Sequence, residues 1–293
     1  MALLSKKIRR AARQPLGRLL ALLALLSSCE TVVELDLPEP EPQLVLNSVL
    51  NPDSVFTADL SASRSIFSNG PHTPLTTALV QVYQAGQLLE ELPHQGQGQY
   101  RGTHRPQPRL AYELRASAPG YPSVRATTQL PAPPALRDVK ASRGADTDFG
   151  ARTVEAAFVL TDDPAQENFY YLQAYRPEID RFNNARTYNQ AVSIIQFAPF
   201  EGEFSMEARY FFSDRLFNGQ TVPFHLRLET NPDRPTYVRV AHVSKAYYDY
   251  VRTLRQQSYG DNVLPSPVTV PSNITDGLGV LASYSAATLY LKP

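Results

Sequence analysis

From residue 43 onward the apolar residues recur at every second position, and that period restricts the chain to strands. Phe56, Ala58, Leu60 and Ala62 alternate with polar or small neighbours. Leu110, Tyr112, Leu114 and Ala116 do the same around Glu113 and Arg115, and Val124, Ala126, Thr128 and Leu130 follow. Successive side chains of a strand point to opposite faces, so such runs describe sheets with one dry and one wet face. Residues 79–83, then Ala85-Gly86, then 87–89 read as a hairpin. Further strands are predicted around Val154/Ala156/Phe158/Leu160, 169–175, 191–197, Phe224/Leu226/Leu228, 237–243, 280–284 and 286–291. One helix is predicted over about 244–259. Ser244 suits its N-cap, Gly260 its C-terminal turn, and Tyr247, Tyr250, Val251 and Leu254 form the seam that packs on a sheet.

Pro131-Ala132-Pro133-Pro134 interrupts this pattern and cannot be a central strand, because proline has no N–H for a ladder. It reads as a domain boundary. The fold class is therefore mainly β, a sandwich over 43–131 followed by a larger β-rich domain over 136–293 with one packed helix. Tyr112-Glu113-Leu114 followed by Ala118-Pro119-Gly120-Tyr121 resembles the last strands of immunoglobulin-like and transthyretin-like modules, and a module of that kind should fold alone.

The N-terminus follows other rules. Lys6, Lys7, Arg9, Arg10, Arg13 and Arg18 precede the first acidic residue, Glu30. The apolar run from Leu19 to Leu26 would cover about 12 Å as a helix, far short of the roughly 20 residues a membrane span needs. A basic flank, a short apolar core and small residues make a secretory signal over 1–28. Its end, Leu26-Ser27-Ser28-Cys29, is similar to the lipobox of bacterial lipoproteins. Cys29 is the single cysteine of the chain and so has no internal disulfide partner. A covalent lipid on Cys29 gives that thiol a purpose and tethers the chain to a membrane. Pro38, Pro40 and Pro42, spaced by glutamates, hold 29–42 extended over roughly 40 Å. Removing 1–28 lowers Lys+Arg from 28 to 22 against 28 Asp+Glu, so the mature chain carries about −6. An acidic exported protein is a poor match for nucleic acid, which is excluded as a partner.

Four segments carry a resemblance. They are Leu44-Val-Leu-Asn-Ser-Val-Leu50, Thr161-Asp-Asp163-Pro-Ala-Gln-Glu-Asn168-Phe-Tyr-Tyr171, Phe212-Ser-Asp214-Arg-Leu-Phe217-Asn-Gly219 and Ser272-Asn-Ile-Thr-Asp276-Gly-Leu-Gly279. In that order the chain resembles, from Cys29 to its end, a family of Bacteroidota lipoproteins catalogued as a domain of unknown function (number 4249). The last segment departs from the family pattern: Asp276 and Leu281 stand where paired glycines and an aromatic are usual. The resemblance implies a lipid-anchored protein of the cell envelope, at the outer membrane, often encoded beside a TonB-dependent transporter. It implies no catalytic residues and no cofactor beyond the lipid.

Sites for chemistry are sparse. None of the five histidines is spaced for a shared metal, and His225 falls on the polar face of a strand. There is no Gly-x-Ser-x-Gly elbow, phosphate loop or His-Glu-x-x-His motif. Asp162, Asp163 and Glu167 offer oxygen ligands for Ca²⁺, against the plainer reading of an Asp-Pro turn. The expected function is binding, as a docking accessory of the transporter; the rivals are an adhesive or structural surface protein and a hydrolase with an unrecognised site. The expected docking loop is the aperiodic stretch 176–190, carrying Arg181, Phe182, Asn184, Arg186 and Tyr188, residue types favoured at recognition surfaces.

Overall fold

The structure is a computed structural model that describes residues 41–65, 70–180, 186–199, 203–258 and 269–292. The chain runs through β1 (Leu44–Leu50), β2 (Thr57–Ala62), β3 (Thr73–Pro74), β4 (Leu79–Gln84), β5 (Gln87–Glu91), β6 (His94–Gly96) and β7 (Gln99–Arg101). It continues through β8 (Ala111–Ser117), β9 (Val124–Gln129), β10 (Ala135–Arg143), β11 (Thr153–Thr161), β12 (Phe169–Asp180) and β13 (Arg186–Ala191). Then come β14 (Ser193–Ala198), β15 (Phe204–Met206), β16 (Arg209–Ser213), β17 (Thr221–Glu229), β18 (Thr236–Val243), the helix α1 (Lys245–Ser258) and β19 (Leu278–Leu291). The fold is mainly β, as the alternation predicts.

One long sheet organises everything else. Its path is β15-β16-β12-β18-β19-β1-β2-β7-β6, and two four-stranded sheets, β5-β4-β8-β9 and β10-β11-β17-β14, make up the rest. A first core holds Leu46, Leu60 and Tyr100 of the long sheet with Val82, Leu114 and Ala126 of one small sheet. A second holds Leu172, Phe212 and Val240 with Phe158, Ile194 and Leu226 of the other. The opposite face of the long sheet carries Tyr171, Phe211 and Ala241, which pack with Tyr248 and Val251 of α1. The two small sheets thus cover neighbouring stretches of one sheet, and the prolines at 131–134 carry the chain from one to the other.

The long sheet crosses the expected boundary. β19 lies parallel to β1, with Val45 opposite Leu278 and Leu50 opposite Ser283, and antiparallel to β18. Leu281 belongs to the first core, Leu291 to the second, and Tyr284 and Ala286 lie against the third. The strand is continuous where a break at Ser285 is expected; Ser285 is fully buried within it. Residues 43–131 are therefore not closed on themselves as an independent module would be.

Two other expectations change, and one strand is unexpected. The described parts of the stretch, 176–180 and 186–190, are not irregular, because β12 and β13 pair from Tyr175 opposite Ala191 to Asp180 opposite Arg186. The described side chains of this arm are turned largely to solvent or to polar partners: Ile179 is 60% exposed, Arg176 bonds Gln190, and Glu178 pairs with Arg234. Backbone pairing and polar contacts hold it, and they leave no apolar alternation to read. The helix is where Ser244 places it, with the Ser244 Oγ accepting from the Tyr247 N–H at 3.3 Å. Its most buried aromatic is Tyr248, absent from the expected seam. Finally, β10 has no expectation because it is a mostly exposed edge strand, broken by a bulge between Arg137 and Lys140.

Candidate functional site

The four sequence segments that carry the resemblance meet in pairs. Segment 161–171 locks to segment 212–219. Asp162 is buried; its Oδ1 accepts from the Tyr170 hydroxyl at 2.6 Å and its Oδ2 from the Gly219 N–H at 2.9 Å. Fully buried Asn168 donates its backbone N–H to Asp214 Oδ2 at 2.7 Å and its side-chain amide to the Asp163 and Gln166 carbonyls. Burial pushes the Asp214 carboxyl up, against the lowering pull of Asn168. It pushes the Tyr170 hydroxyl well above its ordinary range, and the Asp162 carboxylate adds to the rise. Gly219 has φ +71 and no room for a Cβ, which would lie 2.7 Å from Pro164.

Segment 44–50 locks to segment 272–279 in the same manner. Asn47 Oδ1 accepts from the Val280 N–H at 3.1 Å, and the Asn273 side chain both donates to and accepts from the Leu281 backbone, at 2.8 Å each way. Asp276 has φ +62. That is the conformation a glycine takes without strain and aspartate tolerates.

Between these two locks lies a cleft of about 670 Å³. It is lined by Thr127 to Ala135, by Asp163, Gln166, Glu167, Phe169 and Tyr170, by the β18–α1 corner His242 to Ala246, and by Arg109, Thr161 and Asn273. The size is that of an ordinary ligand site. His242 stands at its base, its ring 5.1 Å from that of Tyr170. Burial lowers the His242 pKa, opposed by the Ala132 backbone carbonyl that accepts from the ring and by the charges of Asp162 and Asp163. The imidazole therefore anchors the proline-rich crossing to β18. The Ser244 hydroxyl is committed to the Tyr247 and Ser283 N–H groups, and Lys245 pairs with Asp249. Arg109, Asp163 and Glu167 are exposed on the rim.

The chain belongs to the DUF4249 family. The family, described as a domain of unknown function, matches residues 30–289. That range takes in both locks and every residue that lines the cleft. No curated protein matches the chain. Among solved structures, a Salmonella alpha-2-macroglobulin mutant is 11% identical with a TM-score of 0.24, over 86% of this chain and 14% of that one. A chitinase from Bacillus thuringiensis is 7% identical with a TM-score of 0.18, over 66% of this chain and 27% of that one. This DUF4249 chain spans only a small part of those structures, and similarities at this level carry no argument about it.

The sequence-expected sites fare differently. Asp162 is an internal acceptor, and Asp163 Oδ1 caps its own turn at the Ala165 N–H at 3.0 Å. The Asp-Pro turn accounts for both. Among the described residues no three His, Cys, Asp or Glu side chains gather as a metal cluster. His225 is exposed on β17, as expected. Arg186 and Tyr188 occupy β13 opposite Asp180 and Glu178. Cys29, Arg181, Phe182 and Asn184 lie outside the described residues. The cleft itself has no sequence signal, because it forms where segments more than a hundred residues apart converge.

Proposed function

We propose that this chain is an exported lipoprotein held to the outer membrane through Cys29, and that it works by binding, as a docking accessory of a TonB-dependent transporter. The observation that carries the reading is the run Leu26-Ser27-Ser28-Cys29 at the end of a basic and apolar leader, followed by an acidic, proline-spaced tether. A cleft of ligand-site size in residues 109–273 supports binding as the work done. The family resemblance supports the transporter as partner.

The test has two arms. Cys29→Ala is expected to lose lipid labelling and leave the membrane fraction, and unchanged labelling would end the anchoring claim. The wild-type chain is expected to co-purify with a transporter from detergent extracts, and joint replacement of Arg181, Phe182 and Tyr188 by alanine to weaken that recovery without a change in thermal midpoint. Wild-type recovery in the triple variant would remove this arm from the interface. Asp163 and Glu167, both on the cleft wall, favour a hydrolase as the second reading. A hydrolytic activity of the purified chain that disappears in Glu167→Gln would decide for it.

A further inference from the structure

β9 is the outermost strand of its small sheet, and the direction of its free hydrogen-bonding groups follows from one bridge. In an antiparallel pair, a residue sends both its N–H and its C=O toward one neighbour, and the next residue sends both the other way. The Arg125 N–H donates to the Thr275 carbonyl at 3.3 Å, and the Thr275 N–H donates to the Arg125 carbonyl at 2.8 Å. Arg125 is also the residue opposite Arg115 of β8, so its groups point away from β8. By the period of two, Thr127 and Gln129 point away from β8 as well. The Gln129 carbonyl accepts from Ser283 Oγ at 3.0 Å. The Thr127 N–H, the Thr127 carbonyl and the Gln129 N–H have no partner among the described residues, and both residues line the cleft.

Segment 272–276 begins to act as the next strand and then leaves. After Thr275 it would meet Thr127 with Asn273, but the Asn273 side chain is clipped to the Leu281 backbone instead. An unpaired strand edge is thereby left open inside a cavity, in register with a bridge already made. Edges that natural sheets leave unprotected are templates for another strand.

We propose that the cleft binds an extended peptide segment of a partner protein, added antiparallel to β9 along Thr127 and Gln129 in continuation of the Arg125–Thr275 bridge. This rests on the reading of the cleft as a binding site. The unpartnered groups in the cleft are backbone groups, whereas its charged side chains Arg109, Asp163, Glu167 and Lys245 are exposed, Lys245 is paired with Asp249, and none is set up to desolvate a free terminus. An internal segment is therefore the occupant that fits, with Phe169 and the prolines at 131 and 133 as apolar contacts for its alternate side chains.

The experiment uses the purified full chain in detergent and a randomised pool of pentapeptides, acetylated at one end and amidated at the other. A second pool carries N-methyl groups at its second and fourth amides, which keeps the side chains and removes the strand-pairing donors. The expected result is slowed hydrogen exchange across 125–130 with the first pool and at least tenfold weaker binding with the second. Thr127→Pro removes an N–H that points out of the sheet, a position where an edge strand tolerates proline. It is expected to lose binding at an unchanged thermal midpoint. Equal binding of both pools, no binding of the first, or protection confined to other segments would overturn strand addition; should Thr127→Pro not fold, the comparison of pools still decides. Co-purification with a transporter alongside a failure of both pools would leave the accessory reading standing and this inference false.

Discussion

At the residue scale, polar side chains near the cleft act as internal fasteners, and sequence alone leaves such residues open between a ligand set and a turn. Asp162 and Asp163 satisfy the compositional rule for a calcium loop. The rule cannot see that a tyrosine eight residues on and a glycine 57 residues on already use both oxygens of Asp162. His242 is the converse case: it lies between apolar residues on β18 and gives no motif, yet lines the cleft. Its pKa is lowered by burial in the folded chain, from an ordinary value near 6.5. The unfolded chain therefore binds the proton more readily, so acid favours unfolding. The contribution of neutral His242 is complete above pH 6.5 and declines as pH falls through the interval between the unfolded and folded values. His242→Gln, which keeps a donor for the Ala132 carbonyl, is expected to flatten the fall of urea stability as the pH drops below about 6.5. A wild-type slope in that variant would move the acid sensitivity to another group.

At the element scale, the strands with one buried face were legible and the others were not. β2, β8, β9, β11 and β17 bury alternate residues and follow the predicted runs closely. The hairpin at Ala85-Gly86 also follows, with φ of 49° and 80° giving the doubly left-handed turn that suits strand twist. β10 and the β12–β13 arm escape because backbone pairing and polar contacts hold them with few buried side chains, which leaves no regular apolar alternation in the sequence. Register at β19 has another source, in glycine. Gly279 has φ +114, and a Cβ there would lie 2.1 Å from the Leu46 carbonyl oxygen, near the start of the β1–β19 pair. Gly86 has a comparable φ of +80 with nothing within 4 Å. Gly86→Ala is expected to cost about 1 kcal/mol from backbone strain alone. Gly279→Ala adds displacement of β1 and is expected to cost more than about 3 kcal/mol. Equal losses for the two variants in denaturant unfolding would show that the close approach at β1–β19 contributes nothing.

At the scale of the whole molecule, the question is whether the proline boundary separates anything. Locally it does: the first core is otherwise drawn from residues 44–130 and the second from 154–291. The first core is nonetheless completed by Ile274, 7% exposed, and Leu281, fully buried, and its strand β1 has β19 as its parallel neighbour. Burying two such side chains is worth about 3–6 kcal/mol together. A domain of this size has about 5–15 kcal/mol in total. A fragment of residues 43–131 also leaves the N–H and C=O groups on the outer edge of β1 without partners and opens the first core beneath β9. The expected outcome is a fragment with β-type circular dichroism but no cooperative urea transition, while the same fragment joined by a flexible linker to 272–291 regains one. Sequence alternation cannot reveal this dependence, since the alternation of 43–131 is complete within itself and the missing strand lies about 150 residues downstream. A cooperative transition of ordinary midpoint in the unlinked fragment would show that the first sandwich stands alone and that β19 only decorates it.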